Sequence, residues 1–301
     1  MLEIDGAAAG GVADAEALPL SALVLLSSTE SASAEGAPFE APLPALGRRR
    51  GRYDDLGLVR RHRFVEVRRL RDRVLRRTVM QKRVWRHEAP RSVTARLIAE
   101  GELLAQLDHP GVVPILDLAE SEDGQAFFTM PEVAGACLGT WMMRMRGADL
   151  ERRRQIGQAV VSWLADVCRA VAYAHDRGVS HGDLKPEHVL IRPAGPPCVL
   201  DWGLANTCTG PIAAVTTVTG GGPGLLAGLG AGTPPYRAPE VAQHPGRAAA
   251  DVYAVGTMLG EVCRQVAHDG LGAAVTEARS ACPDRRPAMH DLAASLAAMR
   301  L

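Results

Sequence analysis

The sequence predicts an α+β protein with two lobes, in which a small β-rich lobe precedes a larger α-helical lobe. Alternating apolar and polar residues at 64–67 and 77–80 are typical of short antiparallel strands. Longer stretches at 156–175 and 251–266 carry apolar residues at helical spacing, as the buried helices of a larger lobe would. With 301 residues, of which 47% are hydrophobic, the chain is long enough to bury a sizeable core.

The order of these patterns divides the chain. Residues 1–51 are rich in Ala, Gly, Ser and Pro and are interpreted as a disordered or linker-like extension. The predicted β-rich lobe covers 52–130 and includes one helix at 91–108, which ends at a His-Pro-Gly turn. Residues 131–135 are the predicted hinge, and residues 136–301 form the predicted helical lobe.

Composition argues against several classes of protein. The 34 basic and 34 acidic residues give no net charge that would favour nucleic acid or an anionic membrane. No window of 18 apolar residues occurs, so we expect no membrane-spanning helix. Six scattered cysteines without a CxxC pair are typical of reduced thiols, which favours a cytoplasmic location. Within the basic segment 48–91, a solvated sheet face is favoured over a polyanion-binding surface.

Lysine is almost absent from the chain. Among the 34 basic residues only Lys82 and Lys185 are lysines, and the other 32 are arginines. Arginine suffices wherever a plain positive surface charge is needed, whereas a compact ammonium differs functionally from a planar guanidinium at specialised positions. The two lysines therefore mark candidate functional positions.

Three motifs follow the helical stretch at 156–175. They read His-Gly-Asp-Leu-Lys-Pro-Glu-His-Val-Leu over 181–190, Asp-Trp-Gly over 201–203, and Gly-Thr-Pro-Pro-Tyr-Arg-Ala-Pro-Glu over 232–240. In this order and spacing they resemble the catalytic loop, the metal-binding DFG segment and the APE segment of bacterial Ser/Thr protein kinases of the eukaryotic type. The resemblance covers residues 52–301 and implies a protein-kinase-like fold.

The resemblance also implies a role for each matching residue. Asp183 matches the catalytic base, and Lys185 matches the lysine that steadies the transferred phosphate. Lys82 matches the phosphate-orienting lysine of the third strand, with Glu100 as its partner. The remaining cleft residues implied by the resemblance are Val67, Met80, Val133 and Leu190 for the nucleotide, and Asp201 and His188 for Mg²⁺ or Mn²⁺.

Other matching residues have structural roles in the family. The resemblance implies an ion pair between Glu240 and Arg286, and it implies that Asp251 holds the backbone of the catalytic loop. Only 35 residues separate Asp251 from Arg286, so the platform that usually docks the substrate is predicted to be shortened. The implied hydrophobic spine between the lobes consists of Leu104, Ile115, His181 and Trp202.

The sequence departs from the family pattern around the nucleotide. Residues 60–65 read Arg-Arg-His-Arg-Phe-Val and lack all three glycines that let backbone amides approach phosphates. Met80 stands where a small alanine is expected, and strand alternation points it into the cleft together with Lys82. His188 replaces a metal-binding asparagine, and imidazole suits softer metals than Mg²⁺. Gly182 replaces the arginine that receives an activation-loop phosphate.

Two functions remain open on these grounds. The first is an atypical Ser/Thr protein kinase that transfers the γ-phosphoryl group of ATP to a protein hydroxyl, which the two retained lysines favour. The second is a pseudokinase that binds nucleotide weakly or not at all and serves as a scaffold for a protein partner. Binding of nucleic acid is disfavoured because no recognised module accompanies the basic segment. Neither lysine is expected to be a core position, so an exchange for arginine should leave thermal melting unchanged.

Overall fold

The structure is a computed structural model that describes residues 43–207, 233–242, 248–266 and 268–301. The predicted α+β architecture with two lobes is confirmed within these ranges: an antiparallel sheet and one helix precede a lobe built mainly of helices. Residues 1–42, most of the predicted extension, lie outside the described residues. Among the residues that the structure describes, no helix combines the length and apolar character needed to cross a membrane.

The first lobe is a five-stranded antiparallel sheet in the order β1-β2-β3-β5-β4. Its core-facing side chains are apolar residues such as Val65, Val79 and Phe128, which alternate along the strands with more exposed positions. The strands are β1 (Tyr53–Arg61), β2 (Val65–Asp72), β3 (Arg77–Val84), β4 (Asp117–Glu120) and β5 (Ala126–Pro131).

Helix α1 (Arg91–Leu104) packs against the sheet. It ends four residues before the predicted end at 108, because Gln106 and Leu107 donate to the carbonyls three residues earlier and tighten the chain into a turn. Gly101 lies on the buried face, where an added Cβ would lie only 3.2 Å from Cδ1 of Leu118. The glycine therefore permits the close approach of α1 to β4.

The second lobe contains five helices within the described ranges. They are α2 (Leu138–Arg146), α3 (Leu150–His175), α4 (Ala248–Cys263), α5 (Asp269–Ala278) and α6 (Met289–Ala298). The Asp149 side chain caps α3 by accepting a hydrogen bond from the Arg152 backbone nitrogen, 2.8 Å away. Helix α4 is buried along nearly its whole length, and only residues 264–268 connect it to α5.

Short strands between α3 and α4 shape the loops that face the first lobe. Strands β6, β8 and β9 form one small sheet, while β7 pairs with β10. The motif 181–190 begins immediately after β7 and runs into β8, so both of its ends are fixed by backbone pairing. The bounds are β6 (Ala136–Cys137), β7 (Val179–Ser180), β8 (Val189–Ile191), β9 (Cys198–Val199) and β10 (Asn206–Thr207).

The described end of the predicted extension, residues 43–51, packs on the first lobe. Arg49 donates its backbone N–H to the Glu120 carbonyl at the edge strand β4. The Asp117 carboxylate at the start of β4 accepts three hydrogen bonds from this segment and the residues that follow it. The donors are Arg49 Nε at 2.9 Å, Arg52 Nη1 at 3.3 Å and Tyr53 Oη at 3.2 Å. This contact network, the Asp117 cluster, joins the chain before β1 to the opposite edge of the sheet.

We expect Asp117→Ala to lower the free energy of unfolding by about 2–3 kcal/mol, because it removes the carboxylate that accepts from Arg49, Arg52 and Tyr53, of which only Arg52 keeps a second carboxylate partner, Asp72. Urea unfolding measures the effect. Glu88→Ala is the matched control, since its pair with Arg86 is exposed and contributes little. Equal losses for the two variants would show that the Asp117 cluster does not attach the segment.

The arginines of the basic segment 48–91 are distributed over ion pairs on the sheet surface. Opposite charges lie on neighbouring strands or turns, so the positive field of the segment is compensated locally at many positions. The pairs are Arg61 with Glu66, Arg68 with Asp55, Arg69 with Glu132, Arg73 with Asp54, and Arg83 with Asp123. This arrangement agrees with the favoured interpretation of a solvated sheet face.

Candidate active site

The candidate site lies where the two lobes meet, and its centre is a buried lysine. Lys82 on β3 donates from Nζ to both carboxylate oxygens of Glu100 on α1, at 2.9 and 2.8 Å, and to Oδ1 of Asp201 at 3.1 Å. The ion pair predicted between Lys82 and Glu100 is therefore present. Asp201 follows β9 and adopts a left-handed φ of 59°, which is uncommon for a residue other than glycine.

Two carboxylates share one ammonium in this cluster. Burial disfavours the charged form of Lys82, but Asp201 and Glu100 outweigh this effect and raise the pKa of the ammonium above its ordinary value. Burial, together with the Asp201 carboxylate, raises the pKa of Glu100 to about 7, although Lys82 acts in the opposite direction. With both carboxylates ionised the cluster carries one net negative charge, which favours the approach of a cation.

The burial of Lys82 contradicts one premise of the sequence analysis. Lys82 is only 1% exposed and is among the largest fully buried side chains of the described chain. It is therefore a core position, as is Lys185. An exchange of Lys82 for the larger arginine must displace neighbouring atoms, so an unchanged melting temperature is no longer expected.

The second lysine lies beside the candidate base. Lys185 Nζ donates to Asp183 Oδ2 at 3.0 Å and to Thr233 Oγ1 at 2.6 Å. Thr233 in turn donates its backbone N–H and its hydroxyl to Asp183 Oδ1, at 2.9 and 3.0 Å. Thr233 was not among the predicted site residues. It lies within the third motif, but its separation of 50 residues from Asp183 gave no reason to pair them.

Asp251 of α4 holds the backbone of the motif 181–190, as the resemblance implied. Its carboxylate accepts from the backbone N–H groups of His181 and Gly182, at 2.8 and 2.9 Å, and lies 2.8 Å from Nε2 of His175. Burial raises the pKa of Asp251, but these hydrogen bonds and the histidine charges prevail and lower it below its ordinary value. An ionised Asp251 thus fixes the loop.

The backbone conformation at position 182 explains why a glycine stands there instead of the expected arginine. The φ of Gly182 is 81°, and an added Cβ would lie 2.5 Å from the carbonyl oxygen of Leu204. A side chain at this position would collide with backbone that cannot yield cheaply. The backbone of this loop is therefore built around a glycine.

His188 lies between the two candidate acids. Its Nδ1 is 2.8 Å from the Asp183 carbonyl oxygen, which can only accept, so Nδ1 carries the proton. Burial lowers the pKa of His188 to about 4, so the ring is neutral near pH 7. Its Nε2 lies 3.4 Å from Asp201 Oδ2. Two ligands about 2.1 Å from one ion are about 3.0–3.4 Å apart, so the pair fits a shared divalent cation.

Comparison with known proteins gives the family of the chain. The family profile described as "Protein kinase domain" matches residues 61–270, which include Lys82, Asp183 and Asp201. The chain belongs to the protein kinase domain family.

Two relatives of this kinase domain are bacterial proteins named serine/threonine-protein kinases. It is 30% identical over 221 residues to serine/threonine-protein kinase PknD of Chlamydia pneumoniae and 36% identical over 211 residues to the DNA damage-responsive serine/threonine-protein kinase RqkA of Deinococcus radiodurans. Each comparison covers 69% of this chain, but only 23% of PknD and 29% of RqkA. The chain therefore spans less than a third of the length of these relatives.

The predicted nucleotide-lining residues lie on both sides of the interlobe cleft. Val67 on β2 pairs with Lys82 on β3, and Met80 lies two residues before that lysine. Leu190 on β8 belongs to the second lobe, and all three side chains are buried in one core that also contains residues of both lobes. Val133, in the predicted hinge, packs against this core and is partly exposed.

The segment that replaces the glycine-rich loop forms the turn between β1 and β2. Arg61, at the end of β1, pairs with Glu66 and stacks over the Trp85 ring at 4.4 Å. Trp85 also donates its indole N–H to the His62 carbonyl at 2.9 Å. These contacts attach the turn to the end of β3 and thus define its position without glycines.

The implied structural roles agree with the described contacts of the kinase domain. The ring centroids of His181 and Trp202 are 4.7 Å apart at the centre of the implied spine. Arg286 donates to both carboxylate oxygens of Glu240, at 2.6 and 2.9 Å, as the resemblance implied. These contacts stabilise the second lobe around the motifs 181–190 and 232–240.

Proposed function

We propose that this kinase domain transfers the γ-phosphoryl group of ATP to a serine or threonine hydroxyl of a protein, with Mg²⁺ or Mn²⁺ as cofactor. The observation that carries the proposal concerns Lys82 and Lys185, the only lysines of the chain. Both are buried, Lys82 at the junction of the lobes and Lys185 beside Asp183, and each is ion-paired with a candidate acid of the site. Such a use of lysine is expected for point-charge contacts to phosphate.

The proposed step uses the acid and the lysine of the catalytic loop. Asp183 accepts the proton of the substrate hydroxyl as the hydroxyl oxygen forms a bond to the γ-phosphorus. The bond from that phosphorus to the oxygen it shares with the β-phosphate breaks, and ADP leaves with the electron pair. Lys185, 3.0 Å from Asp183, stabilises the transferred group, while Lys82 orients the phosphates.

Asp201 and His188 would hold the divalent cation. Within the described ranges no group of three or more His, Cys, Asp or Glu side chains forms a complete metal site, so phosphate oxygens and water would provide the other ligands. When bound, the cation would neutralise charge on the phosphates. The nitrogen of His188 favours Mn²⁺ over Mg²⁺, because Mg²⁺ prefers oxygen ligands.

We expect nucleotide binding to be tighter with Mn²⁺ than with Mg²⁺, and His188→Asn to raise the Mg²⁺-supported affinity. The asparagine restores an oxygen ligand at the position of the imidazole nitrogen. Titration of a fluorescent ATP analogue with each ion measures both affinities. His290→Asn is the control, because His290 lies at the exposed start of α6. Equal affinity with both ions, before and after the exchange, would remove His188 from the metal site.

The experiment that tests the proposed activity has two stages. Nucleotide binding is measured with Mg²⁺ and with Mn²⁺, and transfer from radiolabelled ATP to a generic basic protein follows. The proposal expects binding and transfer by the wild type, and a severe loss of transfer in Asp183→Asn. Absence of nucleotide binding with both ions would overturn it in favour of a pseudokinase scaffold.

The substrate and location belong to the same proposal. We propose a protein as the phosphate acceptor, in keeping with the names of the two relatives as serine/threonine-protein kinases. A role in signalling within the cytoplasm is proposed as well. The buried free thiols of Cys137, Cys168 and Cys198 support this compartment, since reduced cysteines are typical of it.

A further inference from the structure

Three of the four residues assigned to the nucleotide are almost fully buried in the chain alone, and the fourth, Val133, is partly exposed. Val67 is 0% exposed, and Met80 and Leu190 are each 7% exposed. Side chains that line an open slot between two lobes would expose their facing surfaces. Their burial means that protein atoms occupy the space between them.

Met80 is the residue whose side chain can occupy this space. It lies two residues before Lys82 on β3, so both side chains point to the same face of the sheet. Lys82 reaches Glu100 and Asp201 on that face, which identifies it as the face toward the cleft. Met80 also lies opposite Met130 in the β3–β5 pairing, and Met130 is buried as well.

The part of the cleft assigned to the phosphates is polar, whereas the part assigned to the purine is apolar. Lys82, Glu100 and Asp201 are connected by hydrogen bonds at 2.8–3.1 Å and belong to the polar part of the site. Met80, in contrast, belongs to the continuous apolar core that includes Val67 and Leu190. A ligand with phosphates but no base would therefore reach its contacts without displacing the thioether.

We propose that Met80 fills the base slot, the space beside Val67 and Leu190 that would hold the purine of the nucleotide. A purine then enters only after the thioether has rotated away. The inference rests on the proposed function and adds a residue that sets nucleotide affinity and selectivity. Methionine has three rotatable side-chain bonds and a soft sulfur, so it can adopt a second packing. If the open arrangement is populated at about 10% or less, the apparent dissociation constant for ATP is raised about tenfold or more.

The test compares Met80→Ala with the wild type, using two ligands in the presence of Mn²⁺. ATP carries both base and phosphates, whereas inorganic tripolyphosphate carries only the phosphates. Isothermal titration calorimetry is expected to show ATP binding about tenfold or more tighter in Met80→Ala, with tripolyphosphate affinity unchanged. Met80→Val is the second variant, because a smaller β-branched residue shortens the side chain while suiting the strand.

A buried methionine far from the base slot provides the control. Met142 on α2 is also buried, at 2% exposed against 7% for Met80, so Met142→Ala reports the effect of a cavity alone and should leave ATP affinity unchanged. Unchanged ATP affinity in both Met80 variants, or an equal gain for ATP and tripolyphosphate, would overturn the inference while leaving the proposed function intact. Failure of all proteins to bind either ligand would overturn the proposed function and the inference with it.

Discussion

Replacement of Lys82 by methionine is expected to lower the free energy of unfolding by about 3–5 kcal/mol and to abolish phosphoryl transfer. The lysine is the shared cation of Glu100 and Asp201, and all three side chains are buried. Methionine has a similar length but no charge, so two carboxylates would face each other without compensation in a low-dielectric environment. Urea unfolding and transfer from labelled ATP measure the two effects.

A double variant separates the structural from the chemical consequence. Lys82→Met combined with Glu100→Leu removes the ammonium and one of its two carboxylates, so part of the lost stability should return. Phosphoryl transfer should not return, because no ammonium remains to contact the phosphates. An unfolding free energy of Lys82→Met within about 0.5 kcal/mol of the wild type would contradict the importance of the buried ion pair.

Asp183→Asn is expected to reduce phosphoryl transfer about 10²–10⁴-fold, the range typical for removal of a general base. The exchange preserves the shape of the side chain, and an amide oxygen can still accept from Thr233. Nucleotide affinity should change little, since the exchange leaves Lys82, proposed to orient the phosphates, and Asp201, proposed to hold the cation, untouched. Single-turnover transfer measures the chemical step, and titration with ATP measures the affinity.

The matched control is Asp166→Asn on α3, where the carboxylate forms a surface pair with Arg169. This variant should transfer phosphate at the wild-type rate, because isolated surface pairs contribute little and Asp166 lies outside the site. If Asp183→Asn retained more than about a tenth of the wild-type rate, Asp183 would not act as the base.

The sequence predicted those features that depend on motif order and local periodicity. The two lobes follow from runs of strand-like and helix-like patterns, and the strand alternation that directed Lys82 inward also directed Met80 inward. The pairing of Lys82 with Glu100 and the support from Asp251 followed from the family resemblance. These contacts are confirmed because the motifs retain their spacing in this chain.

Features that depend on long-range geometry could not be predicted in this way. The Asp117 cluster joins residues more than 60 positions apart, and nothing in either segment alone identifies the partner. Thr233 likewise meets Asp183 only through the fold. The burial of Lys82 was missed because a lysine is normally exposed unless it is paired, and its two partners come from separate parts of the chain.

The scarcity of lysine gives this kinase domain an unusual chemical property. Its only two ε-amines are Lys82 and Lys185, and both are buried at the site. An amine-directed acylating reagent consequently meets no background of surface lysine side chains. Modification of Lys82, quantified by mass spectrometry, would report how often the lobes separate enough to admit solvent, and modification of Lys185 would report how often its contacts with Asp183 and Thr233 open. Protection by added nucleotide could then be followed residue by residue without any introduced label.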